Sequence, residues 1–443
     1  MAGMTEAQAR AILDRVMKLS KAEHCEASIF GGTSGNIRFA RNTVTTAGQR
    51  ENFSLNVQSS FGKRSGSGTA NQFDDASIER AVRRSEELAR LAPENPEWMP
   101  PLGPQQYTPT PAFVEATANV TPEYRAELAR VSIAAAKEKN CTAAGFLEDR
   151  ANWSARLNSA GLFGYHRSTG ITYTVSARTA DGTGSGWGGQ DANDVAKMDG
   201  GAAARMAVEK AAASRDARAI EPGKYTVVLE PAASIELIQN VLNVNARNAD
   251  EGRSFLSKAG GGNRLGEKLM DERVTIYSDP MHPEVPAGPW SGEGMPNKRT
   301  VWIEKGAYQN LSYSRYWAEQ QKKTPQPGPA NFIMEGGTES LEDLVRGTSR
   351  GLLVTRTWYI RSVDPQTLLY TGLTRDGTFY IEDGKIKHAV KNMRFNESPI
   401  IMLNNLDALG RPVRVSTDET NWASLIPPMR IRDFTFSSLS DAV

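Results

Sequence analysis

The sequence predicts an α+β fold: a duplicated helix–antiparallel-sheet–helix N-terminal domain over residues 1–220, followed by a mostly β C-terminal domain over 221–443. Three observations predict it. The chain repeats itself: Cys25, Asn36 and Asn42 recur as Cys141, Asn152 and Asn158, each 116 residues further on. Gly66-Ser67-Gly68 recurs as Gly184-Ser185-Gly186, 118 residues on, so the second copy carries a two-residue insertion. Such self-similarity marks a duplicated structural unit. In both copies a helical pattern leads into segments where apolar and polar residues alternate, as half-buried strands require. Finally, prolines at 93, 96, 100, 101, 104, 109 and 111 separate the copies, about 5–92 and 121–213, as a semi-rigid linker or surface-hugging arm.

The first helix spans 5–19. Thr5 and Gln8 form a capping box, and Ile12, Leu13, Val16 and Met17 make its apolar face. Strands follow near 26–30, 37–40, 52–58 and 61–69, with Phe53, Leu55 and Val57 alternating, and a helix covers 75–91. In the second copy Thr121 caps a helix with Pro122 at its first position, where a missing N–H costs nothing. Its expected stripe is Tyr124, Leu128, Val131 and Ala135. Strands are expected at 143–147, 153–158, 162–165 and 171–177, and a helix at 196–213. Ser65, Ser67 and Ser185, with their glycines, read as strand-end turns.

Glu221-Pro222-Gly223 turns the chain into a strand at 225–229 and then a helix begun by Pro231, striped by Ile235, Ile238 and Leu242. Further strands are expected at 274–277, 301–303, 352–360, 377–382, 385–394 and 429–436. Residues 347–351 read as a turn, and Glu382-Asp383-Gly384-Lys385 as a hairpin of the Asp-Gly kind. A short helix is expected over 399–409, with Met402, Leu403 and Leu406 inward.

Lysine plus arginine number 52 against 51 aspartate plus glutamate, a net charge of +1, so the chain has no global field to favour nucleic acid. Two cysteines build neither a disulfide framework nor a thiolate metal site, which suits a reducing compartment. The N-terminus lacks the apolar core of a signal peptide. No apolar run approaches the ~20 residues of a membrane span. The expectation is a soluble cytoplasmic protein without a membrane or nucleic-acid partner.

The histidines His24, His166, His282 and His388 lie too far apart for a helical metal motif, and no H-E-x-x-H occurs. Asp250-Glu251 and Asp271-Glu272 lack EF-hand spacing and read as solvated charge. Residues 261–268, GGNRLGEK, mimic a phosphate-binding loop, but Glu267 separates Gly266 from Lys268 and no Ser or Thr follows. Cys25 and Cys141, at matched strand starts, read as inert core thiols. No G-x-S-x-G elbow is present. Trp290, Trp302, Trp317, Trp358 and Trp422 suit packing, or a peptide groove. The Pro231 helix carries Gln239, Asn240, Asn243 and Asn245 where a metallopeptidase would carry His and Glu.

The whole chain resembles the TldD/PmbA (TldD/TldE) peptidase family, once called modulators of DNA gyrase. The resemblance rests on 37–48, on Phe61-Gly62-Lys63-Arg64-Ser65-Gly66-Ser67-Gly68 and on the helix 76–92. It continues in Arg253-Ser254-Phe255-Leu256-Ser257-Lys258, in Val274-Thr275-Ile276-Tyr277-Ser278-Asp279-Pro280, and in 377–386 followed by Val390-Lys391-Asn392. The family has TldD-like chains with an H-E-x-x-x-H helix plus a later Cys that bind zinc, and TldE/PmbA-like chains that lack them. Laid on this sequence, the zinc helix falls at 237–245 and the Cys within 413–425, and neither His nor Cys is there. The resemblance thus implies a TldE/PmbA-like subunit with no catalytic or metal residues of its own. Zinc is expected in a TldD-like partner of a heterodimer that cleaves or matures small unfolded peptides. Asn240, Asn243, Arg247 and Arg253 are the expected peptide-binding residues on the wall of the shared chamber. Alternatives are a stand-alone homodimeric binding or assembly protein, and a metallopeptidase with ligands relocated to His166, His282 or His388.

Overall fold

The computed structural model describes residues 3–417, 419–420 and 422–440. The first helix, α1 (Glu6–Leu19), starts as its sequence dictates. The Thr5 N–H donates to Gln8 Oε1 (2.8 Å) and the Gln8 N–H to Thr5 Oγ1 (3.3 Å), closing the capping box. Ala9, Ile12, Leu13 and Val16 are buried beneath it. Next come β1 (His24–Ala40), β2 (Thr43–Phe61), β3 (Arg64–Ala70) and α2 (Asp75–Leu91). A short α3 (Glu115–Ala118) precedes the second copy, formed by α4 (Pro122–Glu138), β4 (Cys141–Asn158), β5 (Phe163–Thr179), β6 (Ser185–Ala192) and α5 (Gly200–Ala213).

The two copies share one antiparallel sheet, ordered β3-β2-β1-β4-β5-β6, with the repeat related about the β1–β4 pair. The short strands expected from the sequence fuse into long ones. Gly31-Gly32 and Gly35 read as breaks, but β1 and β4 are central strands, hydrogen-bonded to neighbours on both sides, and pairing overrides local propensity. A Cβ on Gly31 would stand 2.5 Å from the Trp153 ring, so that glycine makes room for the indole. The repeated asparagines act as clips. Asn42, at φ 59°, donates to the Cys141 carbonyl (3.0 Å) and accepts from the Ala143 N–H (2.8 Å), tying the β1–β2 tip to β4. Asn158 holds its own turn and donates to the Leu102 carbonyl (2.9 Å) of the proline-rich arm.

Odd-numbered residues of β1, β4 and β5 face the helices and form the apolar cores, among them Ile29, Phe39, Leu147, Ile171 and Tyr173. The Gly-Ser-Gly signatures lie not in turns, as the sequence suggested, but inside β3 and β6. There they let a helix reach backbone contact. A Cβ on Gly68 would stand 2.1 Å from the Ala81 carbonyl oxygen of α2. On Gly184, Gly186 and Gly188 it would meet the Ala211, Ala207 and Ala203 carbonyls of α5 at 2.2, 2.1 and 2.2 Å. The facing helix residues are alanines for the same reason. The α4 stripe also differs by one residue: Arg125, Ala129, Ser132 and Ala136 are buried. Arg125 Nε donates to Asp149 Oδ1 (2.5 Å), and the guanidinium occupies the space that a side chain on Gly35 would need.

The C-terminal half comprises β7 (Gly223–Leu229), α6 (Pro231–Ile238), α7 (Ala246–Asp250), β8 (Ile276–Ser278), β9 (Thr300–Glu304), β10 (Ala307–Tyr308), α8 (Arg315–Gln320), β11 (Phe332–Met334) and α9 (Leu341–Arg346). It continues with β12 (Arg350–Val354), β13 (Thr357–Asp364), β14 (Leu369–Thr374), β15 (Thr378–Glu382), β16 (Lys385–Ala389), β17 (Met393–Glu397), α10 (Pro399–Asn404), β18 (Leu406–Leu409), β19 (Val413–Val415), β20 (Ser424–Ile426) and β21 (Met429–Leu439). One sheet runs β13-β14-β17-β21-β7-β12-β15-β16, with β18 also on β21, and a second runs β10-β9-β8-β11-β20-β19. Helix α6 is buried on all sides in the core that the two sheets share.

The mostly β reading of this half holds, with corrections. The expected strand 352–360 is two strands far apart in the sheet, because the chain turns at Thr355-Arg356, where Arg356 pairs with buried Asp376 (2.9 Å). Likewise 385–394 divides into β16 and β17, and 347–351 is the end of α9 and the start of β12. Leu406 is buried as expected, but in β18 after a helix that stops at Asn404. The Asp-Gly hairpin forms with Asp383 at φ 51° and Gly384 at φ 71°, the left-handed pair a two-residue turn demands.

The glycine contacts yield a stability prediction. Gly186→Ala lowers the unfolding free energy by about 1–3 kcal/mol through overpacking, whereas Gly103→Ala, with nothing within 4 Å of its Cβ, is close to neutral. Urea unfolding of both variants measures the difference.

Candidate functional site

The amide-bearing helix was the strongest chemical signal in the sequence. α6 ends in a 3₁₀ turn, Gln239–Leu242, and the amides there are largely engaged with backbone. Asn240 Nδ2 donates to the Glu236 and Leu237 carbonyls, both at 3.0 Å, so this side chain closes its own helix C-terminus. Gln239 Nε2 reaches the Glu419 carbonyl (2.9 Å) and thereby fixes the 416–422 segment. Asn245 caps α7, accepting from the Asn248 N–H (3.0 Å). Asn243 is exposed beside the Tyr370 hydroxyl, to which it hydrogen-bonds.

Arg247 and Arg253 converge on one carboxylate. Arg247 Nε bonds Glu251 Oε1 (3.0 Å), its Nη1 bonds Glu97 (2.9 Å) of the proline-rich arm, and its guanidinium lies 5.3 Å from the Trp317 ring centre. Arg253 bonds the other oxygen of Glu251. These two arginines therefore sit together at the seam between the arm and the C-terminal half, with Asn240 and Asn243 on the preceding turn.

The residues present do not fit a zinc site. Zinc needs about three N, S or O ligands in tetrahedral array. At 237–245 the donors are carboxamides, two of them already donating to carbonyls. The histidines are dispersed. His166 stands edge-on to Trp290, His282 Nδ1 accepts from the Glu284 N–H (3.2 Å), and His388 stacks on Tyr380. Among the described residues, no three His, Cys, Asp or Glu side chains group closely enough to hold a metal ion. Residues 418 and 421, within the stretch where a family Cys would fall, lie outside the described residues. Cys25 and Cys141 are buried, and burial raises both thiols, Cys25 to about 11, so neither is poised as a nucleophile.

Sequence reasoning missed the largest cleft. It lies over the face of the N-terminal sheet that the helices leave open, and measures about 620 Å³. Arg150, Asn152, His166 and Ser168 form its floor, and Arg414 and Trp422 stand on the wall. A neighbouring hollow of about 370 Å³ shares that floor and adds Ser34, Arg50 and Asn52. The signal was in the alternation: the even-numbered residues of β4 and β5 are Asn, Ser, Thr, Arg and His, which reads equally as a solvated face. The wall is pinned by Arg414, whose guanidinium bonds Asp191 Oδ2 (2.6 Å) and Asn193 Oδ1 (3.2 Å) across the two halves. Burial holds the His166 imidazole down at about 4, so it is neutral at ordinary pH. Hydroxyls, amides and a neutral imidazole suit hydrogen bonds to main-chain groups of an extended ligand. None of Asn240, Asn243, Arg247 and Arg253 lines this cleft, although Gln239 anchors the segment that walls it.

Comparison with known proteins finds three successive domains of one family. Residues 25–89 match domain 1, residues 115–215 the central domain, and residues 222–438 the C-terminal domain of the PmbA/TldA metallopeptidases. A curated relative, a metalloprotease of Methanothermobacter thermautotrophicus, is 25% identical over 298 residues, covering 60% of this chain. The chain spans 62% of the length of that relative. Among solved structures, TldE from Thermococcus kodakarensis superposes with a TM-score of 0.84 at 18% identity, over 97% of this chain and 99% of that one. Two proteins named as candidate modulators of DNA gyrase are also similar in fold. The Thermotoga maritima protein scores 0.85 at 17% identity over 97% and 100% of the two chains. The Bacteroides thetaiotaomicron protein scores 0.83 at 20% identity over 98% and 100%.

The His166 environment has a pH consequence. Its folded value lies below the ordinary 6.5, so the unfolded chain takes up the proton first and stability falls as pH drops from 6.5 toward 4. The loss is roughly 2–3 kcal/mol when complete. His166→Gln removes that part of the slope in urea unfolding measured at stepped pH.

Proposed function

We infer the function from one premise: the chain belongs to the PmbA/TldA metallopeptidase family. On it, we propose that this chain is the non-catalytic, TldE/PmbA-like subunit of a paired zinc peptidase that cleaves or matures small unfolded peptides. The observation that supports this most is chemical. Carboxamides stand at 237–245, and Gln239 and Asn240 spend theirs on backbone carbonyls. An amide neither lowers the pKa of a bound water nor accepts its proton, both of which zinc hydrolysis requires. The metal and the general base then belong to a TldD-like partner, and this chain supplies wall and peptide contacts to a common chamber.

Two features suit that role. The open sheet face offers hydroxyl and amide groups that bond peptide main chain irrespective of sequence, as capture of unfolded substrates requires. The Arg247–Glu251–Arg253 cluster, beside exposed Asn243, supplies a second polar surface where the arm meets the C-terminal half. Two buried thiols suit a reducing, cytoplasmic setting, and no helix among the described residues is long and apolar enough to cross a membrane.

The proposal predicts that the purified chain alone leaves an unstructured peptide intact, whereas the chain mixed with a zinc-binding family member cleaves it. Asn243→Ala, Arg247→Ala and Arg253→Ala in this chain each lower kcat/KM of the pair by about tenfold, the loss of one or two polar contacts. Asn240→Ala acts instead on stability, since that side chain closes its own helix. Cleavage by the isolated chain contradicts the proposal, and unaltered cleavage with all three alanines in place removes these residues from the peptide path.

A further inference from the structure

The two repeats differ in one respect that the fold alone does not explain. In each, a third strand covers the second only in part: β3 pairs with β2 from Leu55 onward, and β6 pairs with β5 from Ile171 onward, equivalent positions 116 residues apart. This leaves two equivalent free edges, 43–54 on β2 and 163–170 on β5. The β5 edge is occupied. Thr169 N–H donates to the Ala112 carbonyl of the proline-rich arm (2.8 Å), and Phe113 lies 3.5 Å beneath the Arg167 guanidinium. Tyr107 and Trp290 press on Gly164 so closely that a Cβ there would stand 2.8 and 3.0 Å from their rings. No residue from 163 to 170 is exposed.

The β2 edge is bare. Every residue from 43 to 53 is exposed, on both faces of the strand, Val44 and Phe53 included. Gly48, the counterpart of Gly164, has nothing within 4 Å of its Cβ position. A long strand unpaired at its edge and uncovered on both faces is a template for another chain, and proteins normally block it with a bulge turned outward, a proline or a covering loop. Here residues 43–53 contain no proline, and the single irregularity, between Arg38 and Phe39, faces β1.

We propose that 43–53 of β2 is an interface, and that its occupant is the same edge of a second copy of this chain. Antiparallel pairing about a two-fold axis at Gly48 opposes Arg50 to Thr46 and Glu51 to Thr45, so no like charges meet, and the glycine leaves the axis free of side chains. Such an isologous contact is self-complementary, uses the only bare long edge of the N-terminal sheet and closes without propagating. The two six-stranded sheets join into one. This goes beyond the proposed function and does not depend on where zinc is bound, but an edge pairs once, so a zinc-bearing relative seated there would displace the second copy.

The test is hydrogen–deuterium exchange of the full chain across the concentration range of its association, with sedimentation in parallel. The chain sediments as a dimer at micromolar concentration, and amides within 43–53 exchange at least about tenfold more slowly there than on dilution, while Gly48→Arg, which sets like charges opposite each other at the axis, raises the dimer Kd by about tenfold or more. The open space around Gly48 leaves the variant's own melting temperature unchanged. A chain that stays monomeric, a dimer whose 43–53 amides exchange as in the monomer, or protection that develops only on adding a zinc-binding family member each overturns the proposal. The last two leave the peptidase-subunit reading standing, so the two failures are distinguishable.

Discussion

The N-terminal architecture depends on backbone-to-backbone contact between helix and strand. Gly66 and Gly68 on β3, and Gly184, Gly186 and Gly188 on β6, remove the Cβ atoms that would otherwise strike the carbonyls of α2 and α5. Alanines on the helices complete the fit. Close approach lets two helices per copy seal one face of a shared sheet with small residues, so the apolar core is thin and the opposite face is left uncovered. The cleft over the sheet is a consequence of that asymmetry. Its floor consists of the side chains that alternate with the core residues, and its wall is whatever the C-terminal half places opposite.

Polar contacts between the halves then define the cleft. Arg414 reaches Asp191 and Asn193, Arg156 reaches the Ser291 and Gly292 carbonyls, and Lys210 pairs with Glu230 at 2.7 Å with both side chains largely buried. Arg356 bridges its Asp376 partner to the face of Trp187 on β6. The proline-rich arm adds Tyr107, whose hydroxyl donates to the Gly294 carbonyl (2.6 Å). The arm does more than link the repeats: it closes the β5 edge and packs the Trp290 loop over His166.

The parts of this legible in the sequence are those governed by local rules. Thr5 and Gln8 announced α1, Thr121 and Pro122 announced α4, and Asp383-Gly384 announced its hairpin, because capping and turn geometry are set by neighbouring residues. The duplication was legible from the matched Cys and Asn positions, and with it the α+β class. Long-range pairing was not. Gly31-Gly32 looked like a break until β4 paired across it, and 352–360 looked continuous until Arg356 found Asp376. Family resemblance located the helix at 237–245 and the missing ligands, but the amides' partners depended on segments such as Glu419, 180 residues away. The cleft was illegible because a polar sheet face looks the same whether water or another domain covers it.

The account's central claim is that this chain holds no zinc of its own, and the metal content of the purified protein tests it most directly. After exposure to zinc and dialysis, elemental analysis is expected to find far less than one zinc per chain, and adding a chelator leaves the melting temperature unchanged. One tightly held zinc per chain, with a chelator-sensitive melt, would contradict the account and place a ligand set where the amides and dispersed histidines offer none.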